Sequence, residues 1–141
     1  MFFKQDKNKD KTYDLIKIAA LLIHAAKIDE NYSEEEEEII HKALLKIGAN
    51  NQNIKEIISK GKLIEENTNQ ILEFTREVKN IDEKDKLKIV ESLWQIIYSN
   101  KEADMYETNL MRRLGGLLYI DNKTMGDIKD KIKKENLKWH I

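Results

Sequence analysis

The residues best able to do chemistry in this chain gather in one turn. Lys27-Ile28-Asp29-Glu30-Asn31-Tyr32-Ser33-Glu34-Glu35-Glu36 follows an apolar segment and opens an acidic one. Asp29, Asn31, Ser33 and Glu36 are oxygen donors that suit a divalent cation, Ca²⁺ or Mg²⁺, with Glu30 nearby. Hard cations of the Ca²⁺ kind take six to eight oxygens, so water would complete such a site. It is not an EF-hand. A loop begun at Asp29 puts Glu34 where glycine is required and Ile40 where the bidentate Glu belongs. The same residues also fit a mechanical role. Ser33-x-x-Glu36 is a capping box, in which the Ser side chain accepts from the third helical N–H and the Glu reaches back to the cap N–H. The Glu run over residues 34–38 then lies at a helix N-terminus, where the dipole favours anions.

A second turn repeats the arrangement. Tyr98-Ser99-Asn100-Lys101-Glu102-Ala103-Asp104-Met105-Tyr106-Glu107 again carries a polar residue at a helix end, Asn100, and a Glu seven places later. Asp104-x-x-Glu107 is a second capping box. As a cation site it is poorer, because Asn100 is neutral and Lys101 adds positive charge. His24 and His41 stand at different heights on their helices and lack the metalloprotease spacing, so they read as ordinary helical histidines. Arg112-Arg113 can grip an anion, although pairing with Glu107 or Glu91 is the commoner use of such a residue. Trp94 falls on an apolar stripe and reads as core, and Trp139 lies near the C-terminus.

These residues need helices to place them. Ile16, Ala19, Ala20, Ile23 and Ala26 recur at three and four, with Ile18 and Leu22 widening the stripe, as in a helix buried on more than one side. A second helix opens at Ser33, carries Ile39, Ile40, Ala43, Leu44 and Ile47, and stops at Gly48. Further helices are predicted over about 51–66, 68–78, 83–97, 105–118 and 123–134, with Asp82 capping the third of these, a strong helix. Lys60-Gly61-Lys62 is expected to weaken or break the third helix, and Gly115-Gly116 to mark a close helix–helix approach. No segment alternates with period two, and there is no proline. The expectation is an all-α fold of about seven helices: a polar tail over 1–11, one domain over 12–136 and a short tail over 137–141.

The chain also repeats itself. A shift of 71 residues lays Ile16 on Leu87, Ile18 on Ile89, Ala19 on Val90, Leu22 on Leu93 and Ile23 on Trp94. The phase holds through the turn, where Ile40 meets Met111, Ala43 meets Leu114 and Ile47 meets Leu118. This predicts a duplicated helical hairpin about an approximate two-fold, with the third and fourth helices filling the gap between copies.

Composition narrows the function classes. The chain has 141 residues, enough for one domain with its own core. Lys+Arg total 25 and Asp+Glu 26, which argues against a general nucleic-acid binder. With no cysteine, thiolate metal sites, disulfides and thiol nucleophiles are excluded. Glycine-rich phosphate loops are absent. No apolar run reaches the roughly 20 residues of a spanning helix and no signal-like segment opens the chain, so a cytoplasmic location is expected. The basic stretch over 129–138 reads as a solvated helix end that leaves room for peripheral contact with a membrane surface.

The residues from Asp29 to Glu36, after their apolar helix, resemble the motif of the tellurite-resistance protein B (TerB-like) family, Asp-Gly-x-hydrophobic-x-x-x-Glu. The second half is closer. Ile81-Asp82-Glu83-Lys84-Asp85-Lys86-Leu87-Lys88-Ile89-Val90-Glu91-Ser92-Leu93-Trp94 resembles the helix before that family's second turn. Glu107, Asn109, Leu110, Arg113, Leu117 and Leu118 match its Glu-x-Asn-Leu-x-x-Arg-x-x-x-Leu-Leu pattern. The second-copy motif positions are then Asn100, Asp104, Glu107 and Arg113. The chain departs from the pattern at Glu30 and Lys101 for glycine, Asn100 for Asp, Lys86 for Arg, and Gly116 for Asp. The resemblance implies a seven-helix pseudo-symmetric fold, shared with the N-terminal domain of a membrane-anchored DnaJ-type co-chaperone, and no established enzymatic activity. It further implies a stress-response setting, with metal binding and scaffolding as the suspected roles. The expected function is a non-enzymatic module working through an unidentified protein partner, with a cation-responsive module using Asp29, Asn31, Ser33 and Glu36 as the alternative. A hydrolase built on paired carboxylates has no support in the pattern of acids.

Overall fold

The structure, a computed structural model, describes residues 2–27, 33–67, 78, 81–98 and 105–139, with backbone alone at 2–11, 105–108 and 136–139. Six helices are described: α1 (Phe2–Lys27), α2 (Glu34–Ile47), α3 (Ile54–Asn67), α4 (Glu83–Tyr98), α5 (Met105–Leu117) and α6 (Asn122–Trp139). No strand occurs among the described residues. The helix expected over 68–78 lies outside them, apart from Val78, which is helical and buried.

Two helices form the frame. Every residue of α1 from Leu15 to Ala26 is buried except Lys17 and His24, and Ala19 to Ile23 are wholly inaccessible. Such an all-round apolar run makes an interior helix, not a surface one. In α4, Ile89, Val90, Leu93, Trp94, Ile96 and Ile97 are buried likewise. α1 packs on α2, α3 and α4, while α4 packs on α1, α2 and α6. Polar ties join the layers at their edges. Lys62 of α3 reaches Glu37 of α2 at 2.9 Å, and Glu65 of α3 takes Lys27 at 2.8 Å and His24 at 3.4 Å from α1.

α1 begins at Phe2, ahead of the expected start at Thr12, and α6 runs on to Trp139. Residues 4–11 are Lys, Gln, Asp and Asn without proline or glycine, so nothing in them stops a helix that the buried part has already nucleated. The expected break at Lys60-Gly61-Lys62 does not occur, and α3 passes straight through. Gly61 is buried, and a Cβ there would stand 2.8 Å from the Ala19 Cβ and 3.2 Å from the Ala20 backbone nitrogen. The glycine is therefore a contact point that lets α3 lie against α1, and packing outweighs its poor helix propensity of about 1 kcal/mol. Gly115 fulfils the expected close approach, with Met125 Cγ 3.1 Å from its would-be Cβ, whereas Gly116 and Gly126 face nothing within 4 Å.

The repeat is longer than a hairpin. The 71-residue shift carries α3 onto α6, and Ile54 and Met125 are both buried. The third helix is thus the last member of a three-helix unit, not a spacer between copies. Helix endings repeat as well. Ala49 N–H donates to Leu44 O at 2.9 Å and Ile120 N–H to Gly115 O at 2.9 Å, the wide closing bond of a Schellman end. Among the described residues, those with positive φ are Gly48 (141°) and Tyr119 (59°), at the same place in the two copies. Each third helix then opens on a side-chain cap: Asn50 Oδ1 accepts from Asn53 N–H at 3.0 Å, and Asp121 Oδ1 from Thr124 N–H at 2.6 Å.

Gly61→Ala is expected to destabilise the fold by about 1–3 kcal/mol, because the added methyl meets backbone. Gly126→Ala, with open space around it, is expected to stabilise by about 0.5–1 kcal/mol. Urea denaturation of the two variants checks the contrast.

Candidate functional site

The first turn carries the candidate cation donors alongside its capping box, and the two of them that are described are Ser33 and Glu36. Ser33 is the N-cap of α2, in extended backbone (φ −88°, ψ 164°). Glu36 N–H donates to Ser33 Oγ at 3.1 Å, and Ser33 N–H donates to Glu36 Oε1 at 3.1 Å. The Ser33 hydroxyl also donates to that Oε1 at 3.1 Å. The capping box is complete, and Glu36 is buried within it at 1 % exposure. Of the four remaining acids of the run, Glu34, Glu35 and Glu38 are exposed and Glu37 is half-buried. Their charge lies against the positive end of the α2 dipole. Two oxygens committed to each other fall short of the six to eight that a Ca²⁺-type hard cation takes. Asp29 and Asn31 lie outside the described residues, and no group of three or more His, Asp or Glu among the described residues has the geometry to hold a metal ion.

Of the second-copy residues, Asn100 and Asp104 also lie outside the described set, and Glu107 is described in backbone alone, on α5. Arg113 is exposed on α5. The pairing anticipated for the arginines with Glu91 is replaced by Lys131–Glu91 at 3.4 Å. His24 makes the ordinary contact to Glu65 described above.

Two lysines of α4 act at helix C-termini. Lys86 is buried, and its ammonium donates to Leu118 O at 3.1 Å just beyond the end of α5, 5.9 Å from the Tyr119 ring centroid. Lys88 donates to Lys46 O on α2 at 3.4 Å. Cations belong at those negative dipole ends. Lys86, where the TerB-like pattern has Arg, therefore anchors the α4–α5 end of the molecule.

A second region was not singled out by the sequence. Between α4, α5 and α6 lies an open groove of about 190 Å³. Trp94, Met111 and Met125 line its apolar part, and Arg112, Asn122 and Lys129 its polar rim, with Gly126 between them. Trp94 is 3 % exposed and stacks on Tyr98 at 5.8 Å between centroids. Burial, with Asp130 nearby, raises the Tyr98 phenol above its ordinary pKa, so it stays neutral and a donor. The Lys129 ammonium stands 5.5 Å from the centroid of the Trp94 ring. The Trp94 Nε1–H is buried with no hydrogen-bond acceptor among the described residues. The repeat held the missed signal: carried into α6, it sets Gly126 against Lys55 and Lys129 against Ile58.

With this geometry in place, comparison with known families decides the assignment. The model of the family Tellurite resistance protein TerB matches residues 15–130. The chain belongs to the TerB family. The match runs from the start of the buried part of α1 into α6 and takes in both turns and the groove. Comparison with curated proteins and with solved structures gives no match.

Ser33→Ala is expected to cost about 1 kcal/mol of stability in thermal or urea unfolding, whereas Glu36→Gln, which keeps the acceptor, should cost less. The Thr124 N–H bond holds the Asp121 carboxyl below its ordinary pKa. A lowered folded-state pKa contributes stability above the unfolded value and loses it as pH falls through the folded one. The stability difference between wild type and Asp121→Ala should therefore be full at pH 6 and shrink below about pH 4, as melting curves across that range would show.

Proposed function

We propose that this TerB-family domain is a non-enzymatic protein-contact module, acting in the cytoplasm in a stress response of the tellurite-resistance kind. The observation that carries the reading is the groove between α4, α5 and α6. It pairs an apolar floor with two cationic side chains, Arg112 and Lys129, that have no acidic partner among the described residues. Lys27, Lys42, Lys60, Lys62, Lys88 and Lys131 each face a carboxylate. Arg112 and Lys129, like the exposed Arg113, Lys84 and Lys123, form no ion pair among the described residues, and of these unpaired cations Arg112 and Lys129 border the groove's apolar recess. An apolar recess with unspent charge at its rim suits recognition of another molecule. Among the described acids, by contrast, Glu36 and Asp121 cap helices and Glu37, Glu38, Glu56, Glu65, Asp85 and Glu91 form ion pairs, which supports a non-catalytic role.

The alternative is a cation-responsive module at the first turn. It is supported by the convergence of Ser33 Oγ and Glu36 Oε1 on the turn that carries Asp29 and Asn31. In that case the ion would have to draw Glu36 away from its cap.

A photo-crosslinking residue at position 122, on the groove rim, with position 84 as the control, tests the contact reading in cells exposed to tellurite. A discrete protein adduct from 122 and none from 84 is expected; no adduct from 122 would overturn it. Melting of the purified chain in EDTA and then in excess Ca²⁺ or Mg²⁺ separates the alternative. The contact reading expects no shift. A shift lost in Asp29→Ala would establish the cation site, since binding at a hundredfold excess over Kd adds about 2.7 kcal/mol.

A further inference from the structure

We propose that the α4–α5–α6 groove binds an acidic segment of a protein partner. One apolar side chain of that segment lies over Trp94 between Met111 and Met125, and its carboxylate is held by Arg112 and Lys129. The proposal rests on the protein-contact reading and adds the chemistry of the partner.

The repeat supplies the control that isolates this site. Removing the 71-residue shift carries Trp94, Met111, Met125 and Lys129 to Ile23, Ile40, Ile54 and Ile58. All four of those isoleucines are buried, as are Trp94, Met111 and Met125, so the copies differ in burial at Ile58, which is covered, and Lys129, which is half-buried at the rim. In the second copy the same backbone plan carries an indole, two flexible thioethers and an ammonium. Methionine adapts its shape to an incoming group, which suits a surface that receives a partner.

Three further observations point the same way. First, Gly126 stands where the first copy has Lys55, inside a helix, with nothing within 4 Å of a would-be Cβ. Neither packing nor positive φ requires glycine there, yet a helical glycine costs about 1 kcal/mol against Ala. Its effect is to leave the groove open. Second, the third helices sit differently. In the first copy Gly61 lets α3 close onto Ala19, whereas the second copy has Ile132 and Val90 at those positions. Accordingly, α3 makes a longer tight seam with α1 than α6 makes with α4. Third, Lys129 at the groove rim rests on the indole face of Trp94 instead of on a carboxylate. An arriving carboxylate draws the long Lys129 side chain off the ring, and the apolar side chain beside it takes the uncovered face.

The test is selection of a random-heptapeptide phage library on the full chain, followed by binding of the selected peptides to variants. The expected peptides are enriched in Asp or Glu next to Leu, Ile, Met or Phe. Their binding should weaken about tenfold or more in the double variant Arg112→Gln with Lys129→Gln, since close charge pairs across an interface carry coupling energies of this size. It should also be lost in Gly126→Lys with Lys129→Ile, which writes first-copy residues into the second copy. Melting of each variant against wild type verifies that the fold is retained, and Gly126→Ala, expected to stay folded and to bind, is the second check. Neutral or basic selected peptides, equal binding to the variants, or no selection above the Gly126→Lys with Lys129→Ile background would overturn the proposal. If the position-122 crosslink forms while acidic peptides fail, the partner's chemistry is wrong and the contact reading stands. If both fail, the contact reading falls too.

Discussion

The structure depends on burying α1 from every side. From Leu15 to Ala26 the helix offers almost nothing to water, so neighbours must cover it completely. The tightest cover is α3, and it reaches contact only because position 61 has no side chain to collide with Ala19 and the Ala20 backbone. Close packing of this kind tolerates little change of volume. The polar groups of this stretch are accordingly confined to its margin, where Lys17 lies 5.5 Å from the Tyr13 ring centroid and His24 and Lys27 meet Glu65. An interior helix so constrained has no room for a site, and the chemistry is displaced to the turns and outer helices.

The duplication shows how that displacement works. The framework helices α1 and α4 hold the same buried positions, and α2 and α5 end in the same closing hydrogen bond. At the left-handed position after that end the first copy uses Gly48, which is free to adopt it, and the second uses Tyr119. A non-glycine residue there costs about 1–2 kcal/mol. The Lys86 ammonium, which bonds Leu118 O and lies near the Tyr119 ring, braces that corner. Freedom to diverge lies further out, in the third helix of each unit. There one copy closes over isoleucines, and the other leaves a groove lined by Trp94, Met111 and Met125.

What the sequence made legible follows from what is local. The apolar phases of α1, α2 and α4, the Ser33-x-x-Glu36 box and the stop at Gly48 all depend on residues within a turn or two of each other. Two features were not legible for the opposite reason. Gly61 reads locally as a breaker, and its contact with Ala19 is set by a helix some forty residues away. Trp94 lies on an apolar stripe and is indeed buried, but its role depends on Gly126 and Lys129, which fit no helical pattern taken alone. The repeat faded at the third helix because the informative pairs there, Gly61 with Ile132 and Ile58 with Lys129, are mismatches. Those mismatches separate a closed copy from an open one.

Two equivalent helices, α1 and α4, form the frame, and the groove-bearing helix α6 lies against α4 along a shorter seam than α3 against α1. Native-state hydrogen exchange tests this arrangement most directly, because it resolves the opening free energy of each segment. The amides of 18–26 and 89–97 should exchange slowest and together, through global unfolding. Those of α6 beside the groove should exchange faster, through a smaller opening. Exchange of α1 ahead of α6, or of α1 and α4 at clearly different free energies, would contradict the account.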